Sequence, residues 1–409
     1  MKITRIATAV IEANFDWVLV RLDTDEGLTG WGEAFMGPGI TAVLREFNAA
    51  LAGEDPSSID RIMRRLRAAV VYCSPGLVFH ALAGIETALL DLIGKRCRMP
   101  MWQLLGGKYR DRVAIYADCH AGEALESIGP LVIPRTPHWA GEHRQGVVSV
   151  KHHGWDAGSE AATRPADYGR RAAAMAARGF RTLKFDIDVP TPHETDEYNR
   201  RLGPEEIEYA VELVRAVRDA VGPGIEIAVD CHWNYGVESA VHLARALERF
   251  RLAWLEDPVP PDNIAALARV QAATSVTVAT GENQYFRSDF ERLITEAGLR
   301  VLAPDLQKVG FWEGRKVADL ADMHHTGLAP HNISGPVGTL ASVHLCAAIP
   351  NFIALEWHAA EVPFFDALVK GDPLVRDGMV RVPDAPGLGA EPDLEVAYRY
   401  RKLGEPFFE

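Results

Sequence analysis

Cysteine is scarce in this chain of 409 residues: only Cys73, Cys97, Cys119, Cys231 and Cys346 occur. They are odd in number, scattered, and never spaced as CxxC. Neither a disulfide framework nor a cysteine-ligated zinc site is indicated, and a reducing cytoplasm fits. Positive charge is also short. Lys and Arg number 43 against 56 Asp and Glu, a formal net charge of −13. Such an acidic protein is poorly suited to nucleic acid or an anionic membrane. Long uncharged apolar runs are missing too. The opening Met1-Lys2-Ile3-Thr4-Arg5 leads into a stretch broken by Glu12, Asn14 and Asp16. No signal peptide and no bilayer span are expected. The expectation is a soluble, cytoplasmic protein.

What is present is length and rhythm. With 48% hydrophobic residues, the chain can bury more than one ordinary core. Ile3–Ile11, Trp17–Leu22 and Thr29–Glu33 are β-rich runs, and Asp23 to Gly27 makes a turn between the last two. Helical patterns over Gly39–Leu51, Ser57–Val71 and Val78–Lys95 follow. Strands followed by helices indicate an α+β unit over residues 1–111. From 112 to 374 the order becomes strand, loop, helix, repeated. Eight strands are predicted: Val113–Cys119, Thr182–Asp186, Ile225–Asp230, Ala253–Glu256, Val276–Thr280, Val301–Asp305, Leu328–His331 and Phe352–Glu356. Eight strands at short spacing favour a closed parallel barrel, an α/β fold, over an open sheet. Residues 375–409 are expected to return to the first unit as a largely irregular tail. A long segment after Cys119 carries His120, His143, His152, His153 and Trp155, and a loop of that length is usually functional.

Three of these strands close on a carboxylate: Asp230, Glu256 and Glu282, each 26 residues from the next. That interval fits one strand, one helix and two short loops. It puts three acidic side chains on the face where such barrels do chemistry. Any one of them alone could be a helix cap or loop carboxylate. Three together repel one another and are costly to desolvate without a cation between them. Oxygen donors of this kind suit Mg2+. Asp305, His331 and Glu356 keep the same rhythm on later strands. Lys184 and Asp186 lie two apart on the second strand, so they share a face. His232, two beyond Asp230, is expected to point the same way as that residue.

These fragments carry a family resemblance. Val229-Asp230, Trp254-Leu255-Glu256-Asp257-Pro258, Thr280-Gly281-Glu282, Pro304-Asp305-Leu306 and Ala329-Pro330-His331-Asn332 resemble the enolase superfamily, mandelate racemase subgroup. Asp25-Glu26-Gly27-Leu28-Thr29-Gly30-Trp31-Gly32-Glu33 is similar to the start of that family's capping domain. The resemblance implies a capping α+β domain on a modified TIM barrel, (β/α)7β. It also implies Mg2+ held by Asp230, Glu256 and Glu282, and a reaction that begins by removing a proton beside a carboxylate.

Departures from the family pattern narrow the reaction. Asp305 replaces the lysine base of muconate-lactonising relatives, and with His331 it suits an Asp-oriented histidine base. The second lysine of the racemase Lys-x-Lys pair is Asp186 here, which argues against two-base racemisation; pairing of Asp186 with Lys184 is expected. Asp230-x-His232 resembles the acid-sugar dehydratases, in which that histidine protonates the departing hydroxide. The implied activity is an aldonate dehydratase, of gluconate, galactonate or mannonate type. His331, Asp305, His232, Lys184 and Glu356 are its catalytic candidates. Asp186, Trp17 and Asn283 are candidates for substrate contact. The alternatives are a racemase, epimerase or lactone cycloisomerase of the same superfamily, or a barrel that binds a sugar acid without turnover. The resemblance also implies a homo-oligomer, an octamer or smaller. Lys308 is read as a surface side chain past Asp305, and His324 and His325 as structural residues at a helix end.

Overall fold

A computed structural model describes residues 1–120, 127–129, 131, 133–141, 163–194, 196, 198–359 and 362–409. His143, His152, His153 and Trp155 lie outside the described residues. Near the N-terminus, strands Ile3–Glu12, Asp16–Thr24 and Thr29–Ala34 form an antiparallel sheet in that order. The helix Leu77–Cys97 lies across its third strand. Two glycines permit that approach, since a Cβ on Gly30 or Gly32 would stand 2.2 or 2.3 Å from a carbonyl oxygen of the helix. The helix is apolar and long enough to cross a membrane by length and composition, yet 83% of its most apolar window is buried in the protein. Its two buried acids explain why it belongs there. Glu86 accepts from the Trp312 N–H at 3.1 Å, and Asp91 accepts from the Trp31 N–H at 2.8 Å and pairs with Lys95.

The second unit is a closed barrel. Parallel pairing runs through Arg112–Asp118, Thr182–Asp186, Glu226–Asp230, Trp254–Glu256, Val278–Thr280, Val301–Leu302 and Gly327–Leu328. The eighth strand, Leu355–His358, pairs with the first, and a Leu328–Phe352 bridge completes the circuit. Helices follow each of the first seven strands, giving (β/α)7β. Inside, Tyr116 and Trp254 meet edge-on at 5.2 Å among Ala228, Ala279, Val301, Ala329 and Ala354. Two large rings among small side chains fill the floor beneath the site.

Several element ends differ from the sequence expectation. The strands expected to end at Asp305 and His331 stop at Leu302 and Leu328. Pro304 and Pro330 lack an N–H, so the ladder ends just before them. The last strand runs to His358 rather than ending at Glu356. The helix expected over Gly39–Leu51 is two, Ile40–Glu46 and Asn48–Leu51. The C-terminal residues are more regular than expected. Val375–Arg376 and Met379–Arg381 form a hairpin that extends the first barrel strand, and Leu394–Arg399 is helical. Beyond it, Arg401 and Phe407 bridge to Ile11 and Ala9.

Candidate active site

The C-terminal rim of the barrel gathers the acidic residues. Asp230 and Glu256 face each other across paired strands. Glu282 lies two residues past the fifth strand, and Gly281, at φ +147, makes the turn that carries it inward. A Cβ on Gly281 would come within 3.1 Å of the Ala303 backbone. Oxygens of Glu256, Asp257 and Glu282 lie within 4.8 Å of one another, and so do one ligand atom each of Asp186, Asp230 and His232. Asp257 was missed in the sequence, although it directly follows Glu256. A left-handed backbone at φ +42 turns its side chain toward Glu282.

Cations already lean on this cluster. The Lys184 ammonium lies 2.9 Å from Asp230, 3.4 Å from Glu256 and 2.7 Å from Glu356. Lys184 therefore does not pair with Asp186, contrary to expectation: its strand-end position aims it at the acids of the neighbouring strands. Burial, with Asp230, Glu356 and Asp257 nearby, pushes the Glu256 carboxyl well above its ordinary range even with Lys184 pulling it down. Burial and the Glu282 and Asp230 charges do the same to Asp257. Asp230 moves the other way: burial opposes ionisation, but His232 and Lys184 draw it down. One Glu256 oxygen accepts from the Trp254 indole at 2.7 Å, while the other accepts no hydrogen bond. Buried, crowded, all-oxygen and under-compensated, this donor set fits a hard divalent cation.

His331 and Asp305 meet as an oriented pair. Asp305 caps the helix Leu306–Val309, one oxygen accepting from the Gln307 N–H at 2.8 Å, while the other lies 2.6 Å from His331 Nδ1. Nε2 is then directed at the acids, 3.2 Å from Glu282 and 3.8 Å from Glu356. Burial works against the charged ring, but Glu282 and Glu356 outweigh it and raise His331 to about 9. Glu356 receives Lys184 on one oxygen and the Asn332 N–H on the other at 3.0 Å.

His232 lies at the other strand ends. Its backbone N–H donates to Asp230 at 3.0 Å, and Nδ1 lies 3.1 Å from Asp188, another residue the sequence reading missed. Nε2 is 3.9 Å from Asp230 and 4.0 Å from Asp186. Burial is again outweighed, here by Asp230, Asp188 and Asp186, and the ring is held protonated well above its usual range. Asp186 finds its partner in His120, Nδ1 to Oδ2 at 2.6 Å.

Trp17 packs edge-on against Phe364 and Phe365 and lines a small cleft with Glu33, Phe35, Ile333 and Ser334. Phe35 lies 6.4 Å from the His331 ring, centroid to centroid, so this cleft adjoins the imidazole. Asn283 accepts from Lys308 at 3.1 Å. Lys308 is not a surface residue. It is 4% exposed, 3.6 Å from Glu282 and 4.2 Å from the centre of the Phe35 ring, because the short helix after Asp305 turns it back over the rim. Asp16, beside Trp17, is taken up by Arg135 and Lys402.

An acidic, cation-laced rim on a (β/α)7β barrel, closed over by an α+β unit, defines a class of barrel enzymes that act on small carboxylates. The family described as "Enolase C-terminal domain-like" matches residues 167–396, and "Mandelate racemase / muconate lactonizing enzyme, N-terminal domain" matches residues 4–106. The chain belongs to the enolase superfamily, in its mandelate racemase subgroup. It is 38% identical to a D-xylonate dehydratase of Haloferax volcanii over all of this chain and 91% of that protein. It is 29% identical to a D-galactonate dehydratase of Variovorax paradoxus over 97% and 93%. A solved mandelate racemase/muconate lactonizing enzyme-like protein from Rubrobacter xylanophilus superposes with TM-score 0.87 at 38% identity, covering 100% of this chain and 99% of that one.

Proposed function

We propose that this protein is a Mg2+-dependent dehydratase of a five- or six-carbon aldonate, turning a 2,3-dihydroxy acid into a 2-keto-3-deoxy acid. The single observation that carries this reading is the presence of two differently held imidazoles on one acidic cluster. His331, oriented by Asp305, lies against Glu282, and His232, oriented by Asp188, lies near Asp230. Dehydration needs one base and one separate acid.

Asp230, Glu256 and Glu282 would hold the ion. Bound there, Mg2+ supplies positive charge for the substrate carboxylate and for the charge that grows on it as the C2 proton leaves. With the Glu282 charge that raises His331 taken up by a bound ion, the ring would be neutral, and Asp305 holds its Nδ1–H so that the Nε2 lone pair is aimed into the site, where it takes the C2 proton. The C2–H electron pair passes first into the carboxylate as an ene-diolate, then returns to form the C2–C3 double bond as the C3–O bond breaks. His232, kept protonated by its carboxylate neighbours, delivers its proton to the departing hydroxide, which leaves as water. The enol then takes a proton at C3 and becomes the keto acid. Lys184 keeps Asp230, Glu256 and Glu356 together at the rim, and Trp17 and Asn283 border the substrate space. The His120–Asp186 pairing supports elimination over two-base racemisation, because Asp186 is already engaged. The relatives named for D-xylonate and D-galactonate support an aldonate, and the higher identity to the former makes D-xylonate the first substrate to try.

The test is a screen of the purified enzyme with Mg2+ against aldonates, aldarates and uronates, reading keto acid with semicarbazide. Keto acid from an aldonate supports the reading. Return of substrate deuterated at C2 in both configurations, without keto acid, points instead to a racemase.

A further inference from the structure

A third group of ligating side chains lies beside the carboxylate cluster, and of its members the mechanism above uses only His120, as the partner of Asp186. Asp118 and His120 stand two residues apart at the end of the first barrel strand, and His358 ends the eighth. His358 and Asp118 are paired partners across those strands, so the two positions are fixed in register. One ligand atom from each of Asp118, His120 and His358 falls within 4.8 Å of the others. His120 Nε2 is 3.0 Å from Asp118, and the two imidazoles meet edge-on at 4.3 Å. Asp118 is 4% exposed, and its Oδ1 has no hydrogen-bond partner.

We propose that Asp118, His120 and His358 form a second metal site, separate from the carboxylate cluster, that takes a borderline transition ion such as Zn2+. Donor chemistry sets the choice. Two imidazoles and one carboxylate suit Zn2+, whereas Mg2+ prefers an all-oxygen site. Tetrahedral Zn2+ with bonds of roughly 2.0–2.1 Å sets its ligand atoms roughly 3.4 Å from one another, and the three side chains already hold one ligand atom each within 4.8 Å. The outer contacts suit the task as well. The Asn14 amide lies against His358 Nδ1. With its oxygen turned to accept from Nδ1–H, Nε2 is left with a lone pair for the metal. Against burial, the Asp118 and Asp186 charges favour the protonated His120 ring, and Zn2+ needs it neutral, so uptake of Zn2+ releases a proton. It also draws His120 away from Asp186, 2.6 Å off. On the dehydratase reading, to which only this last clause is tied, zinc here inhibits turnover.

The experiment is zinc K-edge X-ray absorption and equilibrium dialysis on the purified full-length protein in excess Mg2+. The expected result is one Zn2+ per chain with outer-shell scattering from two imidazoles. His358→Leu should weaken that binding by at least about tenfold, and Asp118→Asn should do the same should the first variant fold poorly by circular dichroism. Manganese binding followed by electron paramagnetic resonance should persist in both, because the carboxylate cluster is untouched. Zinc bound by oxygen alone, or bound equally well by folded variants, overturns the proposal. Loss of every dehydratase activity leaves this readout intact, so the two readings fail separately. Zinc inhibition that survives His358→Leu assigns the inhibition to the carboxylate cluster and removes it from this site.

Discussion

Glu33, on the third strand of the capping sheet, accepts hydrogen bonds from the backbone N–H groups of Gly335 and Gly338, at 2.6 and 2.8 Å. Those groups open the helix Pro336–Ala348, just after His331 and Asn332. One capping-domain carboxylate therefore fixes the loop that follows the proposed base. Burial raises Glu33 to about 7, against the lowering effect of the two N–H groups. A folded carboxyl with a raised pKa binds its proton more tightly than the unfolded chain does. Its contribution to stability is thus fully present below about 4.5 and declines as pH rises through about 7. Glu33→Gln removes that titration, since an amide stays neutral. The unfolding free energies of Glu33→Gln and parent should diverge in favour of the variant between pH 5 and 8, on top of a constant loss from the missing acceptor. Glu33→Ala leaves both N–H groups buried and unpaired and should cost about 2–4 kcal/mol in urea unfolding. Parallel pH dependences of Glu33→Gln and parent would remove Glu33 from this role.

The two imidazoles should separate the two halves of the reaction. His331→Asn should abolish exchange of the C2 proton with deuterated water and lower kcat by about 100- to 10,000-fold, while substrate still binds. His232→Gln should keep the exchange and lose keto-acid formation by a similar factor. Exchange that persists in His331→Asn would assign the base elsewhere.

Much of this site was legible because strand-end spacing is a one-dimensional trace of barrel geometry. Asp230, Glu256 and Glu282 carry their rhythm in the sequence, and Asp305 with His331 repeats it. What was not legible depends on turns. Lys308 comes back over the rim only because Asp305 starts a short helix instead of ending a strand, and Asp257 turns in through a left-handed backbone. The partner of Asp186 was equally hidden. Two residues on one strand face suggest a pair, yet Lys184 leans across to other strands and His120 comes from the neighbouring one. Tertiary neighbours on adjacent strands lie tens of residues apart in sequence and leave no local signature.

Metal removal gives a prediction independent of substrate. The repulsion among Glu256, Asp257 and Glu282 is relieved by a bound ion, so adding Mg2+ to chelator-treated protein should raise its Tm. At 100 times the dissociation constant the gain is about 2.7 kcal/mol. Glu256→Gln removes one charge from the cluster. It should blunt the Mg2+ response and narrow the gap between metal-free and metal-loaded protein. A Tm indifferent to Mg2+ in the parent would count against the ion-holding role of Asp230, Glu256 and Glu282.

His344 offers a prediction away from the site. It is fully buried in the helix Pro336–Ala348 and is used on both ring nitrogens. Nδ1 accepts from the Trp102 N–H at 3.2 Å, and Nε2–H donates to the Leu388 carbonyl at 3.1 Å. Only the neutral ring tautomer with its proton on Nε2 satisfies both bonds, and burial lowers its pKa to about 4. The unfolded chain therefore binds a proton near 6.5 that the folded chain refuses until about 4. Between those values the unfolded state holds more protons, so stability falls as pH drops through that window and is fully present above it. Because Trp102 and Leu388 belong to segments flanking the barrel's last helix, the loss should appear as cooperative unfolding. Denaturant titrations between pH 4 and 7 should show His344→Gln with a lower but flatter stability profile than the parent. An unchanged slope in the variant would mean that other buried groups, not His344, carry the acid sensitivity.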